Sequence, residues 1–207
     1  YQYKDMGTDD QIEETDIGDI SVGTSFQPFK SKVGNIRTTL SLSVSLPTGK
    51  SPYKINSDTE LSSGNGLYSY SFSANFSKQV DPMVVFWNVG YTYTENPSGV
   101  EWEVQDGLWA RKIEKGDSVR IGGGFAQALS YKASVNFSFN YSYTFETRYY
   151  FQGSEDVYRT GDSMSAGFSV GMGWKVNQKT TLSYGVGYAL TGSAFSFSFR
   201  MPFTFIL

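Results

Sequence analysis

Residues 133–145 read Ala-Ser-Val-Asn-Phe-Ser-Phe-Asn-Tyr-Ser-Tyr-Thr-Phe. Odd positions are apolar or aromatic, and even positions are Ser, Asn or Thr. Successive side chains of a β-strand point to opposite faces, so this stretch is a strand with one greasy and one polar face. The polar face carries small neutral groups where a soluble sheet would carry Lys and Glu. Such a face suits a confined aqueous interior, and the greasy face then meets lipid. Val135, Phe137, Phe139 and Tyr141 are expected to face lipid, and Asn136, Ser138 and Asn140 the lumen.

The pattern recurs. Nine segments of about 12–16 residues alternate with period 2, and no helical periodicity of comparable strength is present. They cover residues 17–28, 35–46, 67–78, 83–94, 117–129, 133 to about 150, 162–175, 179–190 and 193–206. Val84 and Phe86 break the rule in the fourth, and the fifth is the weakest. In the last, Phe195, Phe197 and Phe199 are expected on the lipid side, opposite Ser196, Ser198 and Arg200. A bilayer is crossed by about 9–11 tilted strand residues, so each segment is long enough.

Composition narrows the class. The 207 residues include 15 Tyr, 16 Phe and 22 Gly, and suffice for one domain. Mean hydropathy is −0.33, and no stretch approaches the roughly 20 apolar residues of a spanning helix. A membrane barrel survives that test, because its dyad repeat is diluted in any hydropathy window. The chain has no Cys and no His, so disulfides, thiolate metal sites and the commonest general base are all missing. A net charge of −3 offers no basic patch for nucleic acid. Tyr1 is not preceded by Met, so the chain reads as mature or partial and its N-terminus cannot be searched for a targeting signal.

Connections alternate in length. Short ones lie near 29–34, 79–82, 130–131 and 175–178, and long polar ones near 4–15, 47–66, 95–116 and 149–161. Outer-membrane barrels have short periplasmic turns and longer extracellular loops. Only the connection near 191–193 departs, being short where a long one is due. The rhythm makes the last strand run inward to Phe205-Ile206-Leu207, which resembles the end signal read by the outer-membrane assembly machinery. Tyr1-Gln2-Tyr3 then becomes the outer tip of an upstream strand, giving at least ten strands, and twelve with two more segments. Residues 1–207 are therefore expected to form one all-β, transmembrane, antiparallel up-and-down barrel of the bacterial outer membrane, partial at its N-terminus.

A soluble sandwich or lipocalin is the alternative. Against it stand the length of the strands compared with the usual 5–6 residues and the scarcity of charge on the polar face. The Tyr- and Phe-rich outer face would also aggregate in water.

The expected inward charges include Asp19, Arg37, Arg120, Glu146, Arg148, Lys175 and Arg200. Rings of charge set pore selectivity, which makes Arg37, Arg120 and Arg200 the residues to test. The competing reading is structural: an inward Arg paired with Asp19 or Glu146 would lock the barrel. Asp58 to Gly66 lacks the calcium-loop pattern, and Gly122-Gly123-Gly124 lacks the strand–loop–helix setting of a phosphate loop. No catalytic, metal or cofactor site is expected, and no carboxylate pair suggests an enzyme.

Three stretches add a family likeness. Leu40-Ser-Leu-Ser-Val-Ser-Leu-Pro-Thr-Gly-Lys, Leu61-Ser-Ser-Gly-Asn-Gly and Val85-Phe-Trp-Asn-Val-Gly-Tyr resemble the phenol-degradation meta-pathway transporter family of outer-membrane proteins. The functional-amyloid exporter of the Fap system in pseudomonads is similar in kind. The resemblance implies a twelve-stranded outer-membrane channel. For the Fap type it also implies a homotrimer, a plug in the lumen and a periplasmic N-terminal region. The first functional expectation is passive export of an unfolded or amyloid polypeptide. A diffusion channel for small hydrophobic or aromatic solutes comes second, and a sealed structural or adhesive barrel is the reading of another class.

Overall fold

The computed structural model describes residues 2–5, 11–28, 36–55, 60–97, 100, 102–105, 108–153, 157–177 and 180–201. All its elements are strands: β1 (Gln2–Asp5), β2 (Gln11–Glu14), β3 (Ile20–Phe26), β4 (Ile36–Leu46), β5 (Ser69–Val80), β6 (Met83–Thr94), β7 (Trp102–Gln105) and β8 (Leu108–Glu114). These are followed by β9 (Ser118–Ala128), β10 (Ala133–Thr144), β11 (Arg148–Phe151), β12 (Val157–Arg159), β13 (Ser163–Lys175), β14 (Thr181–Ala189) and β15 (Phe195–Arg200).

Nine of them form one antiparallel sheet, the wall, in the order β15-β14-β13-β10-β9-β6-β5-β4-β3. Each of the nine alternating segments supplies one wall strand. Neighbours in the wall are also the nearest alternating segments along the chain, the up-and-down order expected of a barrel. The all-β antiparallel up-and-down class expected from the alternation is the one found; among the described residues the wall is an open sheet with β15 and β3 at its edges. Residues 29–35 and 202–207, which carry one expected short turn and the end signal, lie outside the described residues.

Register explains why the alternation has to be shared by every strand. Paired residues point the same way, so most rows across the sheet keep one character, with Thr24, Lys78 and Phe86 as exceptions. One row reads Gly23, Ser43, Ser71, Thr92, Ser118, Thr144, Ser163. The row beside it reads Thr24, Leu42, Phe72, Tyr91, Val119, Tyr143, Met164. A slip of one residue in any strand would put Phe and Tyr among the serines.

The wall has almost no apolar core of its own. Among the described residues its only buried hydrophobics are Ala74 and Ala133, while Phe72, Val89, Ile121, Val170, Val186 and Phe197 are exposed along the aromatic face. A soluble sandwich would cover that face with a second sheet.

The loops at one end do have a core. The connections at 95–116 and 149–161, expected to be plain loops, contain strands that join as a four-stranded sheet ordered β12-β11-β8-β7. Ala110, Ile113 and Phe151 from this cap cluster with Tyr53 and Leu67 from residues 47–67. The expected loop at 4–15 likewise contains the β1–β2 hairpin, so Gln2 and Tyr3 pair with Glu14 and Glu13.

One boundary needs correction. The run from 133 was expected to continue to about Tyr150, but β10 ends at Thr144 and Arg148–Phe151 belongs to the cap. Glu146-Thr147-Arg148 puts three polar residues in a row, which breaks the period, and the backbone N–H of Glu146 donates to Asp162 across the rim (2.8 Å).

Candidate functional site

The small-residue face of the wall is where the sequence places function. Its hydroxyls satisfy each other across strands: Ser21 with Ser45 (3.1 Å), Ser25 with Ser41 (3.0 Å), Ser71 with Thr92 (2.9 Å) and Ser138 with Ser169 (2.8 Å). Glycines fill many of the remaining places, and polar side chains lean over them. A Cβ on Gly185 or Gly171 would collide with the Ser198 hydroxyl or the Asn136 amide. Phe86, which breaks the alternation, lies on this face and fits because Gly124 beside it has no side chain: a Cβ there would stand 2.8 Å from the Phe86 ring.

Each expected site residue can be placed. Asn136 pairs with Ala126 and Gly171, Ser138 with Gly124 and Ser169, and Asn140 with Gly122 and Gly167. Arg37 stands opposite Ser77, Arg120 opposite Gly90 and Ser142, and Arg200 opposite Ser183. All six lie in rows of the small-residue face. On the other face Phe137 stacks between Phe125 (5.9 Å) and Phe168 (6.4 Å). Phe139 pairs with Gly123 and Phe168, and Tyr141 with Ile121 and Ala166. Phe195 meets Tyr188 (4.7 Å), Phe199 meets Tyr184 (5.4 Å), and Phe197 is 80% exposed.

Asp19 and Glu146 stand beyond the ends of the wall strands and bind other partners. Asp19 accepts backbone N–H groups from Gly49 (3.2 Å) and Asn65 (2.6 Å). Glu146 accepts from Arg148 Nε (2.6 Å) and pairs with Arg159 (3.4 Å). Neither is paired with Arg37, Arg120 or Arg200. Those three arginines and Lys175 make no ion pair among the described residues.

Asp19 belongs to a repeated device that the alternation did not reveal. Three wall strands that run away from the cap, β3, β9 and β13, are each preceded by Gly-Asp: Gly18-Asp19, Gly116-Asp117 and Gly161-Asp162. Asp117 accepts from the Tyr91 hydroxyl and from the Thr94 N–H (3.3 Å). Asp162 accepts from the Tyr143 hydroxyl and from the Glu146 N–H. In both, one carboxylate oxygen takes a tyrosine and the other the backbone where the preceding wall strand ends. Gly116 is required by contact, since a Cβ there would fall on the Phe145 carbonyl. The recurring Gly-Asp was the signal available in the sequence.

The cap carries the main charge network. Lys112 donates to Glu114 (2.6 Å), and the Tyr150 hydroxyl donates to its second oxygen (3.0 Å). These two hydrogen bonds, the Lys112 one foremost, hold the Glu114 carboxyl below the usual glutamate range. Among the described residues no cluster of three His, Cys, Asp or Glu could hold a metal ion. Residues 56–59, with Asp58, lie outside the described residues.

No protein-family profile matches the chain. The fold is similar to that of a solved outer membrane channel from Pseudomonas putida F1, with a TM-score of 0.61 at 14% identity. The alignment covers 89% of this chain and 64% of that protein, so this chain spans less than two thirds of its length. Likeness at this identity is likeness of fold: the chain shares the all-β, antiparallel architecture of that outer-membrane channel.

Proposed function

We propose that the protein is an integral outer-membrane channel through which small solutes pass without chemistry, with the small-residue face lining the lumen and the aromatic face meeting lipid. The observation that carries this reading is the row-by-row segregation across nine strands. A lipid-facing surface must be apolar, and a lumen can be polar. Rows of Ser, Gly and Asn leave room that larger side chains would occupy. A groove of about 430 Å³ lies on the wall, where Asn88, Arg120 and Asn140 line it together with Ile121, Phe168 and Tyr188. A groove of that size suits a small solute, whereas the first expectation, a polypeptide in transit, rests on family resemblance. A twelve-stranded closed wall and a trimer remain parts of the same proposal.

Planar-bilayer recording of the purified full-length protein tests it. Stepwise conductance is expected. A folded protein that inserts and passes no current would refute the channel and leave the sealed barrel.

A further inference from the structure

We infer that the small-residue face carries a binding position for small oxyanions, organic carboxylates foremost, built from Arg120, Asn88 and Asn140, and that the lumen passes anions in preference to cations. The inference rests on the channel reading above and names its substrate class.

Charge segregation is the first ground. The chain has 20 Asp and Glu and a net charge of −3, yet none of its carboxylates lies in any of the nine wall strands. The wall strands contain Arg37, Lys78, Arg120, Lys175 and Arg200; Lys78 lies in a row of the aromatic face, between Ile36 and Val85, and the other four lie in rows of the small-residue face. The carboxylates that could have neutralised them, Asp19 and Glu146, are committed elsewhere. Unpaired charge of one sign along a lumen concentrates counter-ions and sets selectivity.

Local geometry is the second ground. Asn88 and Asn140 flank Gly122 from the two neighbouring strands, and their amides lie over it: a Cβ on Gly122 would stand 2.8 Å from Asn140 Oδ1 and 2.8 Å from Asn88 Nδ2. Arg120 is two residues away on the same strand and face, about 7 Å along β9. Its cross-strand neighbours are Gly90 and Ser142, neither of which carries a charge to neutralise the guanidinium. The planar fork of Arg matches a carboxylate in two hydrogen bonds, and each amide can turn an N–H toward the same ligand. The adjoining groove falls in the size range of small-molecule sites.

The test uses the full-length protein in a tenfold KCl gradient. The wild-type reversal potential should lie on the chloride side. Arg120→Gln should lower the chloride/potassium permeability ratio about three- to tenfold, the scale for loss of one nearby unit charge. Arg120→Lys should keep it, and Arg120→Glu should lower it further. Acetate should reduce chloride current through wild type but not through the Gln variant. A reversal potential at zero or on the potassium side, or one unchanged in both the Gln and Glu variants, overturns the inference while the current itself upholds the channel. A second readout does not need current. The chain has no Cys, so Ser142→Cys places a single thiol opposite Arg120. In detergent the sulfonated methanethiosulfonate should react faster than its trimethylammonium counterpart, and Arg120→Gln should remove the difference. A wild type that passes no current but keeps this preference loses the channel and retains the anion site. Equal rates for the two reagents overturn the site.

Discussion

Ile113 is fully buried, and it is the largest side chain so enclosed among the described residues. It sits at the centre of the cap cluster with Tyr53, Leu67, Ala110 and Phe151. Ile113→Ala removes three carbons, a transfer loss of about 2.4 kcal/mol at ~0.8 kcal/mol per methylene. The cavity left behind raises this to about 3–4 kcal/mol if the site cannot collapse. Collapse is hindered because the cluster draws on separate connections, each anchored to the wall. A core of five residues has few other contacts to compensate. At about 1.4 kcal/mol per tenfold, the cap should therefore open roughly 150- to 700-fold more often. The wall should not follow, because its stability comes from the pairing of its nine strands, which the cap cluster does not supply. The assay is hydrogen exchange on protein in detergent, read on β8 and β11 and separately on β5, β6, β9 and β10. Limited trypsin cleavage at Arg111 or Lys115 gives a second measure. Protection should be lost in the cap strands alone. Equal loss in wall and cap, or no loss in either, would show that cap and wall are not separate cooperative units.

Three further outcomes are expected. Single cysteines at 136, 138 and 140 should react with water-soluble thiol reagents, and those at 137 and 139 should resist them in vesicles; the opposite pattern would exchange lumen and lipid. Asp162→Ala leaves the Glu146 N–H and the Tyr143 hydroxyl without their shared acceptor, at a cost of about 1–3 kcal/mol. Residues 145–162 should then be cut more readily by protease while the heat-modifiable gel mobility of the barrel persists; Asp117→Ala should do the same for residues 95–117. The Glu114 carboxyl is held below its ordinary range, so its contribution is present above the unfolded glutamate value and disappears as pH falls through the lower folded value. Cap protection should accordingly hold from pH 7 down to about 4.5 and fall in more acid solution, and Glu114→Gln should flatten that dependence.

The wall was legible in the sequence because a strand with one apolar and one polar face alternates along its length. No tertiary contact is needed to see Phe137, Phe139 and Tyr141 on one side and Asn136, Ser138 and Asn140 on the other. The same simplicity concealed the cap. Ile113 and Phe151 lie in short, irregular stretches whose apolar residues follow no period, since their burial comes from a few three-dimensional contacts. The Gly-Asp rim was present in the letters, but its meaning depended on which strand end each aspartate would meet. Thr94 and Asp117 are brought together only by the pairing of β6 with β9.

The sequence by itself therefore determined which face of each strand is apolar and which is small and polar, the number of wall strands among the described residues, and the absence of carboxylates from them. Those are properties of single residues and of their period. Tertiary structure decided which rows align, where β10 ends, and that Asp19 and Glu146 leave the arginines unpaired. It also decided that Asn88 and Asn140 converge beside Arg120 over Gly122. These depend on register between strands far apart in the chain, and register is set by all the pairs of the sheet together.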